Sequence, residues 1–421
     1  MNAAMTSKGV IKTYLTLALF NTLAASLIWG INTLFLLDAG LSIVEAFAAN
    51  AFFTAGMVLF EIPTGVIADS KGRRLSYLLG TLTLAVTTLL YLVLAWINAP
   101  FLWWAIVSLF LGLGFTFFSG ATDAWLVDAL KFTKYKGQLD SVFGKAQVVG
   151  GIAVLVGSIS GGLIAQFSNL GVPYIVRAGL LVITFVIAFF LMRDLGFAPE
   201  KQQKYSQAVK SIMTTSLKFG FGKPAVRWVI LAAPFISGVS IYVFYALQPY
   251  LLQLYGDQTA YWIAGLAAAI LAGAQIVGGL SVPLLRRFFK RRTAVLLFGI
   301  AAGSIILVLL GLMPNFFLVI AMIVLWGLLN AAITPVRQAY LNDLIPSKQR
   351  ATVLSFDSLL GSSGGVVSQP ALGKAADMWG YATSYTIAGF IQMLALPFLF
   401  LANRRHEVAD VKKTPEEAGD N

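Results

Sequence analysis

From Tyr14 to Leu401 the chain is a near-unbroken succession of apolar runs, each about 20 residues long and so able to cross a ~30 Å hydrocarbon core as a helix. Inside lipid the backbone must pair its own N–H and C=O groups, which a helix does within one segment. Charged residues make up only 11% of the 421, against roughly 25% in soluble domains, so lipid is the solvent for most of the chain. The fold expected is an all-α integral membrane protein of twelve transmembrane helices. Their spans are read as 12–37, 42–68, 75–97, 101–129, 139–166, 173–193, 225–252, 259–284, 294–313, 315–337, 351–374 and 380–402. The first is too long for a signal-peptide core and runs through Trp29 and Asn32 without a small-residue cleavage site, so it is expected to remain a membrane helix.

The distribution of the 30 Lys and Arg residues, rather than the net charge of +12, carries the topology. Lys8 and Lys12 precede span one; Lys71, Arg73 and Arg74 follow span two; Lys131, Lys134 and Lys136 follow span four. The alternation continues through the central loop, the turns after spans eight and ten, and the tail. It places 27 of the 30 on one side, leaving Lys145 at the start of span five, Arg177 and Lys374. By the positive-inside rule that side is cytoplasmic and holds both termini, which requires an even number of spans. The localisation expected is a bacterial cytoplasmic membrane, with lipid rather than nucleic acid around the chain.

The one long polar stretch within the body is 194–224, read as a linker that carries a short surface helix. It divides the chain into a six-helix bundle at 1–193, a second at 225–402 and a tail at 403–421. Such halves are expected to be pseudo-symmetric repeats. Span five ends in Gly157-Ser158-Ile159-Ser160-Gly161-Gly162, and its counterpart, span eleven, carries Gln369-Pro370-Ala371-Leu372-Gly373; small residues there let helices approach closely. Cysteine is absent and the single histidine, His406, lies in the tail. Disulfides, thiolate chemistry, a zinc site and an intramembrane histidine relay are thereby excluded, and no cofactor is expected.

Between spans two and three stands Gly65-Val66-Ile67-Ala68-Asp69-Ser70-Lys71-Gly72-Arg73-Arg74-Leu75. It resembles the loop signature of the major facilitator superfamily, departing at Ile67 and Ser70. In that signature Gly65 is read as permitting close packing and Gly72 the tight turn, while Asp69, with Arg73 and Arg74, forms a conformational latch. Span four has Asp123 and Asp128 where many members of the family carry an arginine, so Lys145 is considered as a partner for Asp69. Gly144, Ala153, Gly157, Ser158, Gly161 and Gly162 in span five are similar to the helix-packing motif of the superfamily's drug:proton antiporters, with Ala153 for Gly and Ser158 for Pro. Phe60 to Gly65, Asp123 to Leu126 and Arg350 to Ser355 look like bacterial members grouped with macrolide and tetracycline efflux proteins. The resemblance implies the major facilitator fold, a small-molecule substrate exchanged with protons, and a monomer.

Spacings of 4, 3 and 4 keep side chains on one helical face. Asn21, Ala25, Ile28 and Asn32, beside Trp29, form such a stripe in span one; Ser237, Ile241, Phe244 and Gln248, beside Tyr245, form one in span seven. Span two gives Asn50, Thr54, Met57 and Glu61, and span four Gly112, Thr116, Ser119 and Asp123. These four faces are expected to line one substrate cavity, with Asn330 and Gln275 contributing. Single Asn, Ser or Thr residues also serve simply as interhelical hydrogen bonds. Ionisable groups cost ~2.5–3.5 kcal/mol or more at the bilayer centre, so Glu61 and Asp123, each ending a stripe, are the candidates for proton coupling. Asp357 lies close enough to Arg350 to be a gate or latch with it, although a structural role is the favoured reading.

The reading favoured is a secondary active transporter that exports small amphipathic compounds against protons. An uptake symporter or facilitator for a metabolite shares every fold-level argument, although the scarcity of Arg or Lys within the spans disfavours organic anions. A third reading is a membrane-embedded enzyme or a scaffold; an enzyme would need a catalytic cluster, for which one tail histidine and no cysteine leave few options.

Overall fold

The computed structural model describes residues 6–199, 214 and 220–411. Most of the 194–224 linker, including the short surface helix expected there, falls outside these residues, as does the tail beyond 411. Helices α1 (Ser7–Trp29) and α2 (Asn32–Asp38) make up the first span, interrupted at Gly30-Ile31. A capping box between Ser42 and Glu45 starts α3 (Ile43–Lys71), pairing N–H groups that the first turn leaves open. Gly72, at φ 112°, makes the turn into α4 (Arg73–Trp96), a backbone conformation that side chains disfavour.

Span four is also interrupted: α5 (Phe101–Thr116) and α6 (Ala121–Phe132) are separated at Ser119-Gly120, with Gly120 left-handed at φ 65°. Then follow α7 (Leu139–Phe167), α8 (Val172–Leu191), α9 (Pro224–Tyr255), α10 (Tyr261–Leu280) with the short α11 (Val282–Phe288), α12 (Arg292–Leu312), α13 (Phe316–Leu344), α14 (Ser347–Met393) and α15 (Ala395–Asn403). Eleven helical stretches among the described residues are long and apolar enough to cross a membrane. The last, Thr352–Asn403, holds two spans joined at Gly380 (φ 82°, ψ 161°), so the twelve crossings stand.

The chain forms two compact units, residues 1–208 with 247–269 and residues 209–246 with 270–421; the divisions fall inside α9 and inside α10. In the first unit α1 packs along α7, α3 along α5, and α4 against α5 and α8. Backbone-to-backbone approach sets the α1–α7 seam. A Cβ added at Gly161 would stand 1.8 Å from Leu27 O, and one at Gly157 would strike Ser26 Oγ. The Ser26 hydroxyl donates to Ala153 O at 3.0 Å across the same seam. The second unit repeats this between α9 and α14, where Gly364 meets Pro234 O and Gly361 faces Ser237. These glycines lie earlier in span eleven than the 369–373 stretch, beside which the buried Ser368 hydroxyl donates to Gly238 O of α9 at 2.7 Å. Gly65 and Gly144 have no atom within 4 Å of an added Cβ, so close packing does not explain either glycine in this structure.

Two helices begin with cations, which oppose the positive end of the helix dipole, and each is capped by a remote aspartate. The N–H of Arg74, second residue of α4, donates to Asp194 Oδ1 at 2.9 Å. The N–H of Thr293, second residue of α12, donates to Asp410 Oδ1 at 2.7 Å, while the Thr293 hydroxyl donates to Oδ2. Asp194 follows α8 and Asp410 follows α15, so each cap comes from just beyond the last span of its own half. Burial pushes the Asp194 carboxyl above its ordinary value, opposed by Arg74 and Arg73. Asp410 is 1% exposed, and the chain around it is held by Arg292 Nη1 to Ala409 O (3.0 Å), by the Arg291–His406 hydrogen bond and by the Lys223–Glu407 ion pair.

Gly161→Ala is expected to destabilise the folded protein by about 1–3 kcal/mol, because overpacking against backbone cannot be relieved by a rotamer change, and Asp410→Ala by about 1 kcal/mol through loss of the cap. Gly144→Ala should leave the melting temperature unchanged. Thermal unfolding of detergent-purified protein checks all three.

Candidate transport pathway and coupling carboxylates

Glu61 sits on α3 two residues before Pro63, which has no N–H to donate to the preceding turn. The Thr64 hydroxyl donates to Phe60 O at 2.8 Å in the same loosened turn. Across from it lies the interruption between α5 and α6, whose Ser119 donates its hydroxyl to Glu61 Oε1 at 2.5 Å. Four residues on, in the first turn of α6, Asp123 accepts from the Tyr14 hydroxyl of α1 at 2.7 Å. The two carboxylates are therefore held on either side of one break: Glu61 by its lower edge residue Ser119, Asp123 by the helix that restarts. Glu61 is half-buried and Asp123 exposed. The stripe spacing pointed to both carboxylates but not to the break, for which Ser119-Gly120 is the signal.

Other stripe residues of the first unit are turned to hydrogen bonds. Asn32 Nδ2 donates to Asn50 Oδ1 at 2.8 Å, and the Tyr174 hydroxyl donates to Asn32 Oδ1 at 2.9 Å. Thr54 and Thr116 donate to carbonyls of their own helices, Asn50 O and Leu113 O. All four polar side chains are buried. Gln248 is 3% exposed and both ends of its amide are engaged: Nε2 donates to Trp29 O at 2.7 Å, and Oε1 accepts from the N–H of Thr33 at 2.8 Å. Asn21 and Trp29 are half-buried. In the second unit Ser237, Phe244, Tyr245 and Asn330 are half-buried; Asn330 donates to Trp326 O and shares a small pocket with Thr334, Arg337 and Ile236.

Several ionic pairings differ from those expected. Asp69 pairs with Arg73, one helical turn away across Gly72, and not with Lys145, which is exposed and in no ion pair among the described residues. A partner already on the motif leaves no need for a cation from span five. Arg74 instead donates to Phe189 O at 2.5 Å and stacks on the Phe189 ring at 5.1 Å. Asp357 is paired with Arg337 of α13, Nη1 to Oδ2 at 2.7 Å and Nη2 to Oδ1 at 2.5 Å, in a two-point fork. Arg350, two turns back on α14, is drawn to Ile345 O at 3.4 Å, where a cation offsets the negative end of α13. Arg177 is 1% exposed on α8, with Nε donating to Thr88 Oγ1 at 3.1 Å and its guanidinium 5.9 Å from the Phe115 ring centroid. Among the described residues no group of three His, Cys, Asp or Glu is placed to hold a metal ion.

Twelve apolar crossings make this an integral membrane protein, and the family it matches is one of membrane transporters rather than enzymes. The model of the Major Facilitator Superfamily matches residues 14–309 and 279–419, and the chain belongs to that family. An uncharacterised MFS-type transporter of Methanocaldococcus jannaschii is 20% identical over 345 residues, covering 81% of this chain and 84% of its own. Among solved structures, the nucleoside transporter NupG matches with a TM-score of 0.76 at 13% identity, over 93% of this chain and 98% of its own. A bacterial homologue of the human lysosomal transporter Spinster, inward-facing and unoccupied, gives 0.70 at 15% identity over 98% and 100%. A D-xylose–proton symporter gives 0.66 at 16% identity over 94% and 97%. At these identities the likeness is one of fold.

Removing one partner of the Arg337–Asp357 fork strands a charge in a site where the two side chains are 17% and 9% exposed. Asp357→Asn is expected to destabilise by about 3–5 kcal/mol, whereas the double change Arg337→Met with Asp357→Leu should recover most of that loss. Melting curves of the single and double variants test this.

Proposed function

We propose that this transporter exports small amphipathic compounds in exchange for protons by alternating access, as a monomer in the plasma membrane with both termini cytoplasmic. The observation that carries the proposal is the Glu61 carboxylate bonded to Ser119 at the interruption of span four. As a carboxylate, Glu61 accepts a charge-assisted hydrogen bond from Ser119. Protonated, it loses that charge assistance, so proton loading loosens the contact between α3 and the α5–α6 break. Proton occupancy is thereby tied to helix geometry, and a cationic compound competes for the same carboxylate. Asp123, held by Tyr14, adds negative charge on the restarted helix.

Asn21 and Trp29, and in the second unit Ser237, Phe244, Tyr245 and Asn330, are the proposed substrate contacts; aromatic faces suit cationic amphipaths. Asp69, Arg73 and Arg74 with Gly72 act as the latch of the basic-loop end. One proton moving down ~150 mV supplies about 3.5 kcal/mol, enough for a substrate gradient of about a few hundredfold.

The test uses liposomes with an acidic lumen, lipophilic cations added outside and lumenal pH followed for wild type and Glu61→Gln. Release of lumenal protons on addition of a compound is expected, and its fall by about tenfold or more in the variant assigns coupling to Glu61. No pH response to any compound, together with accumulation of a labelled nucleoside or sugar, would replace export by uptake.

A further inference from the structure

Residues 247–269 belong by sequence to the seventh and eighth spans, yet they pack within the unit formed by residues 1–208. The seam has two components. Three glycines converge: a Cβ added at Gly30 or at Gly162 would stand 2.9 Å from the Cα of Gly265. The backbone of the first span is also broken beside them, at Gly30-Ile31, where Ile31 leaves the helical region (φ −126°, ψ −1°). A break inside lipid frees backbone groups that no water pairs. Gln248 supplies the pairing, donating to Trp29 O above the break and accepting from the Thr33 N–H below it. A primary amide is suited to this, since it offers a donor and an acceptor at one end of a neutral side chain. Gln166 reinforces the seam more weakly, accepting from the Trp262 N–H at 3.4 Å.

We propose that Gln248 is the latch of the end opposite the basic loops, holding the broken first span closed against the end of the seventh, beside the glycine contact with the start of the eighth, and releasing it each time that end opens. This rests on alternating access but on neither the direction of transport nor the substrate. When the seam parts, the Trp29 carbonyl and Thr33 N–H pass from the Gln248 amide to entering water, so opening has a defined cost of two hydrogen bonds. Loss of the amide shifts the resting population toward the state open at that end.

The chain contains no cysteine, so one introduced thiol reports without background. Thr33→Cys places it beside the break at a fully buried position, and the Thr33 N–H that meets Gln248 belongs to the backbone and is retained. A membrane-impermeant maleimide is applied to oriented vesicles from the side opposite the basic loops. Thr33→Cys alone should react slowly. Adding Gln248→Leu should speed labelling about tenfold or more, the factor expected for two hydrogen bonds of ordinary strength. Gly265→Val, which props the glycine seam apart without touching Gln248, should do the same. A control thiol at Thr81, buried on α4, must stay unreactive in each background, which separates opening from unfolding.

Unchanged labelling in both backgrounds would overturn the latch, as would faster labelling of the Thr81 control alongside. An altered substrate KM with unchanged labelling would make Gln248 a substrate ligand instead. Labelling requires neither substrate nor proton gradient, so failure of the Glu61 exchange assay leaves this result standing, and the reverse also holds.

Discussion

A backbone N–H or C=O left unpaired in hydrocarbon costs several kcal/mol, far more than the ~1 kcal/mol that a hydrogen bond contributes in water. A break within a span must therefore find a partner, and the helix starts at the basic-loop ends, whose first N–H groups also lack one within the helix, are capped in a similar way. The turn at Gly72 is completed by Asp194, the start of α12 by Asp410, and the break at Gly30-Ile31 by Gln248. In each case the partner lies more than a hundred residues away in sequence. The helix ends consequently do double duty: they terminate spans and they tie distant segments together.

These ties also reveal the internal repeat better than sequence does. Arg73-Arg74 and Arg291-Arg292 each open the third span of a half, and each is answered by an aspartate just beyond the sixth, bonded to the second N–H of the helix. The glycine seams repeat as well, Gly157 and Gly161 against α1 in one unit, Gly361 and Gly364 against α9 in the other. In both halves the first span of the half meets the fifth backbone to backbone, so bulk is excluded from the same place twice.

Spans and their number were legible because hydropathy is a local property read in order along the chain. Glu61 and Asp123 stood out as candidates for a related reason: a charge in an apolar run differs from its neighbours. Partners were not legible. Helical spacing puts Asn32, Asn50, Thr54 and Gln248 on inward faces, but it does not say whether such a face meets water or another helix, and here those side chains are buried and bonded. Asp357 was read with the nearest arginine in sequence, Arg350, whereas the structure selects Arg337 from the adjacent helix because Arg350 is drawn to the carbonyl end of α13. The breaks at Gly30 and Gly120 were hidden inside continuous apolar runs, where glycine is also an ordinary packing residue.

Magnitudes separate the contacts that can cycle from those that cannot. A latch must hold one state and yet yield during turnover, so its strength has to be comparable with the few kcal/mol that a proton or a substrate supplies. Two neutral hydrogen bonds from Gln248, at ~1 kcal/mol each, satisfy that condition, and water can take over both when the seam opens. The Arg337–Asp357 fork does not: separating a buried ion pair strands two charges, at a cost of about 3–5 kcal/mol when even one partner is lost. On energetic grounds the fork suits a brace joining α13 to α14 within one unit, and the contacts weak enough to serve as the proposed movable ones are the neutral amide at Gln248 and the single charge-assisted bond between Ser119 and Glu61. In the proposed exchange, a proton arriving at Glu61 would weaken one of these directly, so coupling would require only that the energy of protonation exceed what the rest of that seam holds in place.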